Sequence, residues 1–255
     1  VTQIITENLG KGTSTVCHMA RAAGADVIPV DIGVASDIHG SGVVHRKIAR
    51  GTHNFAKQPA MSRDQAVQAI GVGIETALLC RQHGYDVVAT GEMGIGNTTS
   101  TAAVTAALLH APVELVTGRG SGLTSEGLVR KIQVVTRALE QWQPNQHDPI
   151  DILSKVGGYD LCGLTGLFLG GALCGLPMII DGGGAVRRAV VSDCARLSHR
   201  LASHGGTGGR AARAGAGRQA DNRRAHGAGR GHRCGAAVRY AGRCRFAVHQ
   251  RQYVR

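Results

Sequence analysis

The apolar patterning of this chain stops at about residue 184, so whatever core it builds must come from the part before that point. From Ala185 to Arg255 there is no Pro, Ile, Met, Lys or Glu, and the leucines are Leu197 and Leu201 alone. Arg, Gly, Ala and His dominate, a composition that cannot bury enough surface to offset the entropy lost on ordering. Charge divides at the same place. Residues 1–184 hold 13 Lys and Arg against 15 Asp and Glu, whereas 185–255 hold 16 Arg against two Asp, so the net charge of +12 resides in the tail. The expected organisation is an α/β domain over 1–184 followed by a basic, disordered Arg/Gly/Ala-rich tail over 185–255.

Within residues 1–184, strand-like and helix-like segments alternate. Spacing predicts a helix over residues 1–21 and a buried strand over 26–34, then a polar, basic loop over 35–59. Ser62 and Gln65 have the spacing of a capping box, and Val67, Ile70, Ile74 and Leu78 form the apolar stripe of the helix that follows, which Gly84 ends. A short strand over 86–91 runs through a Gly-rich loop into an Ala-rich helix over 98–109. A second Gly-rich loop, 118–122, precedes a helix over 125–141. Asp148 and Pro149 supply the N-cap and first residue of the next one. A small-residue helix over 159–174 and a last strand over 176–181 complete the series. Strands separated by helices predict a doubly wound parallel sheet with its site at the strands' carboxyl edge.

No stretch reaches the roughly 18 uncharged apolar residues of a membrane span, and the first residues lack a secretory layout. Seven cysteines, without CxxC pairs or zinc-finger spacing, predict reduced thiols and no structural zinc. The expectation is a soluble, cytoplasmic protein.

The strand, Gly-rich loop, helix unit at 86–109 carries the chemistry. Gly94, Gly96 and Asn97 stand where backbone N–H groups and a helix N-terminus can hold a phosphate, although glycine at such turns is also used for geometry alone. No GK[ST] follows, so this is not a Walker loop. Glu92 would repel that phosphate unless cationic charge develops nearby, as it does at a glycosyl-transfer centre whose ribose passes through an oxocarbenium-like state. A Glu favoured by the helix dipole is the plainer alternative. Gly120 in the second loop and Lys131 on the next helix could add an anion contact, against the ordinary reading of Lys131 as a solvated helix residue.

Taken in order, Gly91-Glu-Met-Gly-Ile-Gly-Asn-Thr-Thr99, Gly118-Arg-Gly-Ser-Gly-Leu123 with Glu126 and Lys131, Leu153-Ser-Lys-Val-Gly-Gly158, Leu164-Thr-Gly-Leu167 and Pro177-Met-Ile-Ile-Asp-Gly182 resemble the nicotinate-nucleotide:dimethylbenzimidazole phosphoribosyltransferases of the cobalamin pathway. The resemblance covers about residues 1–182. It implies a homodimeric, Rossmann-like enzyme needing no cofactor or metal. Such an enzyme moves ribose 5-phosphate from nicotinate mononucleotide to dimethylbenzimidazole, giving α-ribazole 5′-phosphate and nicotinate. On this resemblance Glu92 steadies the transition state, and Gly94, Gly96, Asn97, Gly120, Lys131 and Asp181 bind substrate.

The resemblance also implies two segments that these 255 residues do not show. One is an Asp-His-Gly segment of the base pocket, which would precede Val1. The other is a Gly-Glu-Gly-Thr/Ser-Gly-Ala segment whose glutamate is the general base, yet no Glu follows Glu140. We read the tail, as a hypothesis, as the family's coding region in a shifted frame. Residues 229–236 can be written GGG CGA GGG CAC AGG TGC GGC GCN, and moving one base gives Gly-Glu-Gly-Thr-Gly-Ala-Ala. The gene's own codons would settle this. Without that glutamate, binding of nicotinate mononucleotide without turnover is the alternative expectation. A third reading takes the tail as an arm that neutralises nucleic-acid phosphates, but Tyr240, Phe246 and Tyr253 are too sparse to stack bases.

Overall fold

A computed structural model describes residues 1–180 and the backbone of Phe246–Gln250. Asp181, and the 185–255 tail apart from that short segment, lie outside the described residues, and with them the expectations placed there.

The chain opens with two helices, not one: α1 (Thr2–Gly10) and α2 (Thr15–Ala22). Gly12, at φ +71°, takes the left-handed turn that separates them, and Ser14 starts the second. Strand β1 (Val27–Asp31) follows, shorter than the nine residues expected, and β2 (Val44–His45) lies beside it within the stretch read as loop. Helix α3 (Arg63–Gln82) begins with the capping box: Gln65 N–H donates to Ser62 Oγ at 3.1 Å and Ser62 N–H to Gln65 Oε1 at 2.9 Å. Then come β3 (Val88–Ala89), α4 (Asn97–Leu109), the single turn α5 (Val113–Val116), α6 (Ser125–Trp142), α7 (Pro149–Val156), α8 (Tyr159–Cys174) and β4 (Met178–Ile179). Asp148 caps α7, its Oδ1 accepting from Ile150 and Asp151 N–H.

Every strand pair among the described residues is parallel: β2 and β1 form one sheet, β3 and β4 another. The α/β class with parallel strands and flanking helices stands. The fifth strand, β5 (Phe246–Gln250), pairs with β1 on its other side, Val27 opposite Phe246 and Asp31 opposite Gln250. No element was expected in the tail, because it offers no face to bury. Strand addition does not require one, since the unpaired backbone of an edge strand is itself the template.

The stripe predicted for α3 holds in the middle, where Ile70 is buried and Ile74 packs against the core, and is corrected at its ends. Val67 and Leu78 are 47% and 39% exposed, while Ala66, Ala69, Gly73, Thr76, Ala77 and Cys80 are buried. Gly73 and Ala77, with the backbone of Ile70 and Ile74, meet α8, the most extensive helix pair among the described residues, across an interface of small residues. A Cβ on Gly166 would fall onto the Ile70 carbonyl, and one on Gly73 onto the Gly163 carbonyl. The two backbones touch, Ile70 and Val72 stay buried, and Val67, Leu78 and Leu79 are turned outward. The main core collects Val30, Ile32, Ile70, Val104, Val135, Ile152 and Tyr159 between β1 and the helices. Cys17, Cys80, Cys162 and Cys174 are free thiols, and burial pushes the Cys162 thiol well above its ordinary range.

Among the described residues no helix is long and apolar enough to cross a membrane.

Candidate active site

Strand β3 is held beside β4 by Val88 N–H to Pro177 O and Thr90 N–H to Ile179 O, both 3.0 Å. After Thr90 the chain leaves the sheet and enters α4 through residues 91–96. Gly96 is the N-cap residue at φ +93°, a left-handed conformation that a Cβ would strain, and it supplies no capping side chain. The first turn of α4 therefore lacks a side-chain cap on the carboxyl side of β3; Thr99 N–H turns back to Gly96 O at 3.2 Å, and among the described residues the Thr98 N–H is left open. Asn97 N–H turns back to Gly94 O at 3.4 Å, which fixes the loop's closure.

Two side-chain pairs start from consecutive residues of that turn. Asn97 is buried and its Nδ2 donates to Glu92 Oε2, so the exposed carboxylate of Glu92 is held by the helix beside it. Thr98 Oγ1 accepts from Lys131 Nζ at 2.7 Å, and Gly118 O accepts from the same ammonium at 3.0 Å. Thus Glu92, Gly94, Gly96 and Asn97 gather at one strand-helix junction, and Lys131 is fastened to it from α6. Gly120, at φ +61°, lies against it as well, since a Cβ there would stand 2.9 Å from Thr98 Oγ1.

Lys131 is only 7% exposed, not the solvated helix residue that its type suggests. With Val135 and Ala138 it makes up the buried stripe of α6, at the i, i+4, i+7 positions where aliphatic side chains belong. No carboxylate forms an ion pair with it among the described residues. Burial accordingly holds its pKa below the usual lysine range. Two of its three ammonium protons meet neutral oxygens, which leaves a buried positive charge with one donor to spare. That is the electrostatic form of an anion site.

The basic loop expected to be functional is used differently. Lys47 Nζ pairs with the buried Asp31 carboxylate at 2.8 Å, Arg50 with Asp37 at 2.8 Å, and Arg46 approaches Glu75 at 3.8 Å. Asp31 Oδ1 also accepts from Gly33 and Val34 N–H at 3.0 and 2.8 Å, closing the end of β1. Of the loop's cations, Lys47 is spent on a buried carboxylate, and Arg46 and Arg50 face exposed ones. Beside this knot lies a cleft of about 740 Å³, bordered by Val34, Ser36, Arg50 and Thr52 and by the first residues of the chain. Sequence reading missed both Asp31 and Thr98.

Residues 1–222 match the model of the family DBI_PRT, described as phosphoribosyltransferase. The chain belongs to this family. It is 47% identical over 182 residues to the nicotinate-nucleotide–dimethylbenzimidazole phosphoribosyltransferase of Clostridium acetobutylicum, covering 71% of this chain and 52% of that protein. The protein of the same name from Chloroflexus aggregans is 46% identical over 208 residues, 80% of this chain and 59% of its own length. Among solved structures, CobT from Thermus thermophilus superposes with a TM-score of 0.69 at 38% identity, covering 80% of this chain and 59% of that one. The chain thus spans about half the length of the curated relatives it matches. The Clostridium match is 182 residues long and the Chloroflexus match 208, and the family model runs on to 222, past the limit of about 182 read from the sequence.

Proposed function

We propose that this fold binds nicotinate mononucleotide, with its phosphate at the first turn of α4 and the Lys131 ammonium. In the whole protein it would transfer the ribose 5-phosphate to 5,6-dimethylbenzimidazole. The observation that carries this reading is the buried Lys131, without a carboxylate partner among the described residues, fastened to the N-terminus of α4. The helix dipole, the open Thr98 amide and one spare ammonium proton support a dianionic phosphate held there.

The Glu92 carboxylate then has a definite task. Nicotinate is joined to the ribose as a cationic pyridinium; when the C1′–N bond breaks, its electrons return to the ring nitrogen and the positive charge passes to the ribosyl carbon. A fixed carboxylate beside that carbon lowers the barrier by favouring the charge only as it forms. Asn97 keeps Glu92 in place, so its carboxylate need not reorganise when the bond opens. Attack by a benzimidazole nitrogen completes the transfer, and the N–H proton of the base must leave. Gly94, Gly96 and Gly120 let the backbone approach the phosphate, and Asp181 is part of the proposed substrate contacts.

We also place this chemistry in the cytoplasm, a reading supported by the unpaired thiols among the described residues, and in a homodimer, as the family resemblance implies. One sequence fact favours a second reading, binding without turnover: no glutamate follows Glu140 to take the proton from the base. Incubating the chain with nicotinate mononucleotide and dimethylbenzimidazole separates the two, since turnover yields nicotinate and α-ribazole 5′-phosphate in equal amounts. In a full-length relative carrying the same string, Glu92→Gln should lower the rate of nicotinate release by about 100-fold, the usual scale for removing one electrostatic stabiliser. Unchanged release would remove Glu92 from the mechanism.

A further inference from the structure

We propose that Thr98 is a positioning residue whose hydroxyl, together with Gly118 O, aims the remaining ammonium proton of Lys131 at the phosphate. The inference rests on the phosphate reading above and adds a residue and a reason to it. A lysine side chain has four rotatable bonds, and its ammonium is a point charge with no preferred plane. Something must choose its direction. Here the choice is made by two oxygens on separate elements, Thr98 Oγ1 on α4 at 2.7 Å and Gly118 O on the facing loop at 3.0 Å. Both are neutral. A carboxylate in either place would hold the ammonium equally well but cancel the charge that the phosphate needs. A hydroxyl and a carbonyl fix the direction and leave the charge available.

Thr98 has a second capacity. Because Oγ1 accepts from Lys131, its own proton points elsewhere, and the residue is exposed at the open side of the turn. The hydroxyl can therefore donate to the same anion that Lys131 attracts. Gly120 shows how closely the hydroxyl is packed: at φ +61° it brings the loop so near that a Cβ would lie 2.9 Å from Oγ1. A side chain at that position would push the hydroxyl out of line with the ammonium.

Calorimetric titration of nicotinate mononucleotide into the 255-residue chain and three variants tests this. Thr98→Val keeps the shape and removes the acceptor, Thr98→Ser restores the hydroxyl without the methyl, and Lys131→Met removes the charge. The expected order is loss of about tenfold in affinity for Thr98→Val, recovery to within about threefold for Thr98→Ser, and loss of at least about 100-fold for Lys131→Met. A shape or folding role for Thr98 predicts instead that Val is tolerated better than Ser. Equal weakness of the two Thr98 variants, or full affinity in Thr98→Val while Lys131→Met is lost, overturns the proposal and leaves the phosphate site standing. Full affinity in Lys131→Met overturns both.

Discussion

A buried ammonium with no carboxylate beside it is a cost to the fold, on the order of several kcal/mol before its two hydrogen bonds are counted. Among the described residues Lys131, on the apolar stripe of α6, stands in that condition. Replacing it by Met, of similar length and no charge, should raise the stability of the ligand-free chain by about 1 kcal/mol while removing affinity for nicotinate mononucleotide. Denaturant unfolding beside calorimetry checks this, and a destabilised Lys131→Met variant would mean that the charge serves the fold itself. The pH dependence has a fixed sign. Burial lowers the pKa of Lys131 in the folded state, so the charged form, and with it phosphate affinity, is lost as pH rises through that lowered value. Between the lowered value and the ordinary lysine pKa the unfolded chain binds more protons than the folded one. Stability of the free chain should therefore gain from this group over the same window in which ligand affinity declines. At this scale the sequence was half legible. Glu92, Gly94, Gly96 and Asn97 are contiguous with a recognisable string, and the structure gathers them. Lys131 was found by the same resemblance, but nothing local joins it to Thr98, and its burial shows only as a lysine set in register with Val135 and Ala138.

Helix boundaries were readable wherever a side chain writes its own signal into the backbone. The Ser62 and Gln65 box and the Asp148 and Pro149 start are such cases, because their hydrogen bonds are local and independent of packing. Arg63 and the amides of Ile150 and Asp151 hold the Asp148 carboxyl below its usual range, against the opposing effect of burial. The face that α3 buries was readable only in part, since it depends on what α8 offers. Val67, Ile70, Ile74 and Leu78 suggested one stripe, of which Ile70 and Ile74 lie at the contact, but the glycines of α8 bring the backbones so close that small residues such as Gly73 and Ala77 complete it in place of Val67 and Leu78. Gly166→Ala should therefore be far more damaging than its one methyl suggests. The new carbon falls on the Ile70 carbonyl, and the helices must part, at a cost of about 3 kcal/mol or more. Thermal unfolding followed by circular dichroism would show it as a clear drop in midpoint. A variant as stable as the parent would mean that the helices are not in backbone contact. Strands were over-read in length: only Val27–Asp31 of the first predicted run is a regular strand, although Ile32 O and Gly33 O still accept from Ile48 and Gly51 N–H beyond it.

For the molecule as a whole, alternation of strand and helix sufficed to give the α/β class, because that architecture follows from the order of elements more than from their exact bounds. The same order places the β3–α4 turn at a strand's carboxyl end, where open sheets hold their ligands. The family's likeness extends over most of this chain and about half of its relatives, and residues 92–131, which we propose hold the phosphate, lie within the described part. The pairing of Phe246–Gln250 with β1 lay beyond sequence reading, for it draws on a vacant strand edge and not on an apolar pattern.

The central claim is that a phosphate is what Lys131 and the first turn of α4 recognise. Titrating this chain with nicotinate mononucleotide and, separately, with nicotinate riboside tests it directly, because the two differ only in that group. The account predicts that the riboside binds at least about 100-fold more weakly, the loss of several charge-assisted hydrogen bonds. Equal affinity for the two would contradict it.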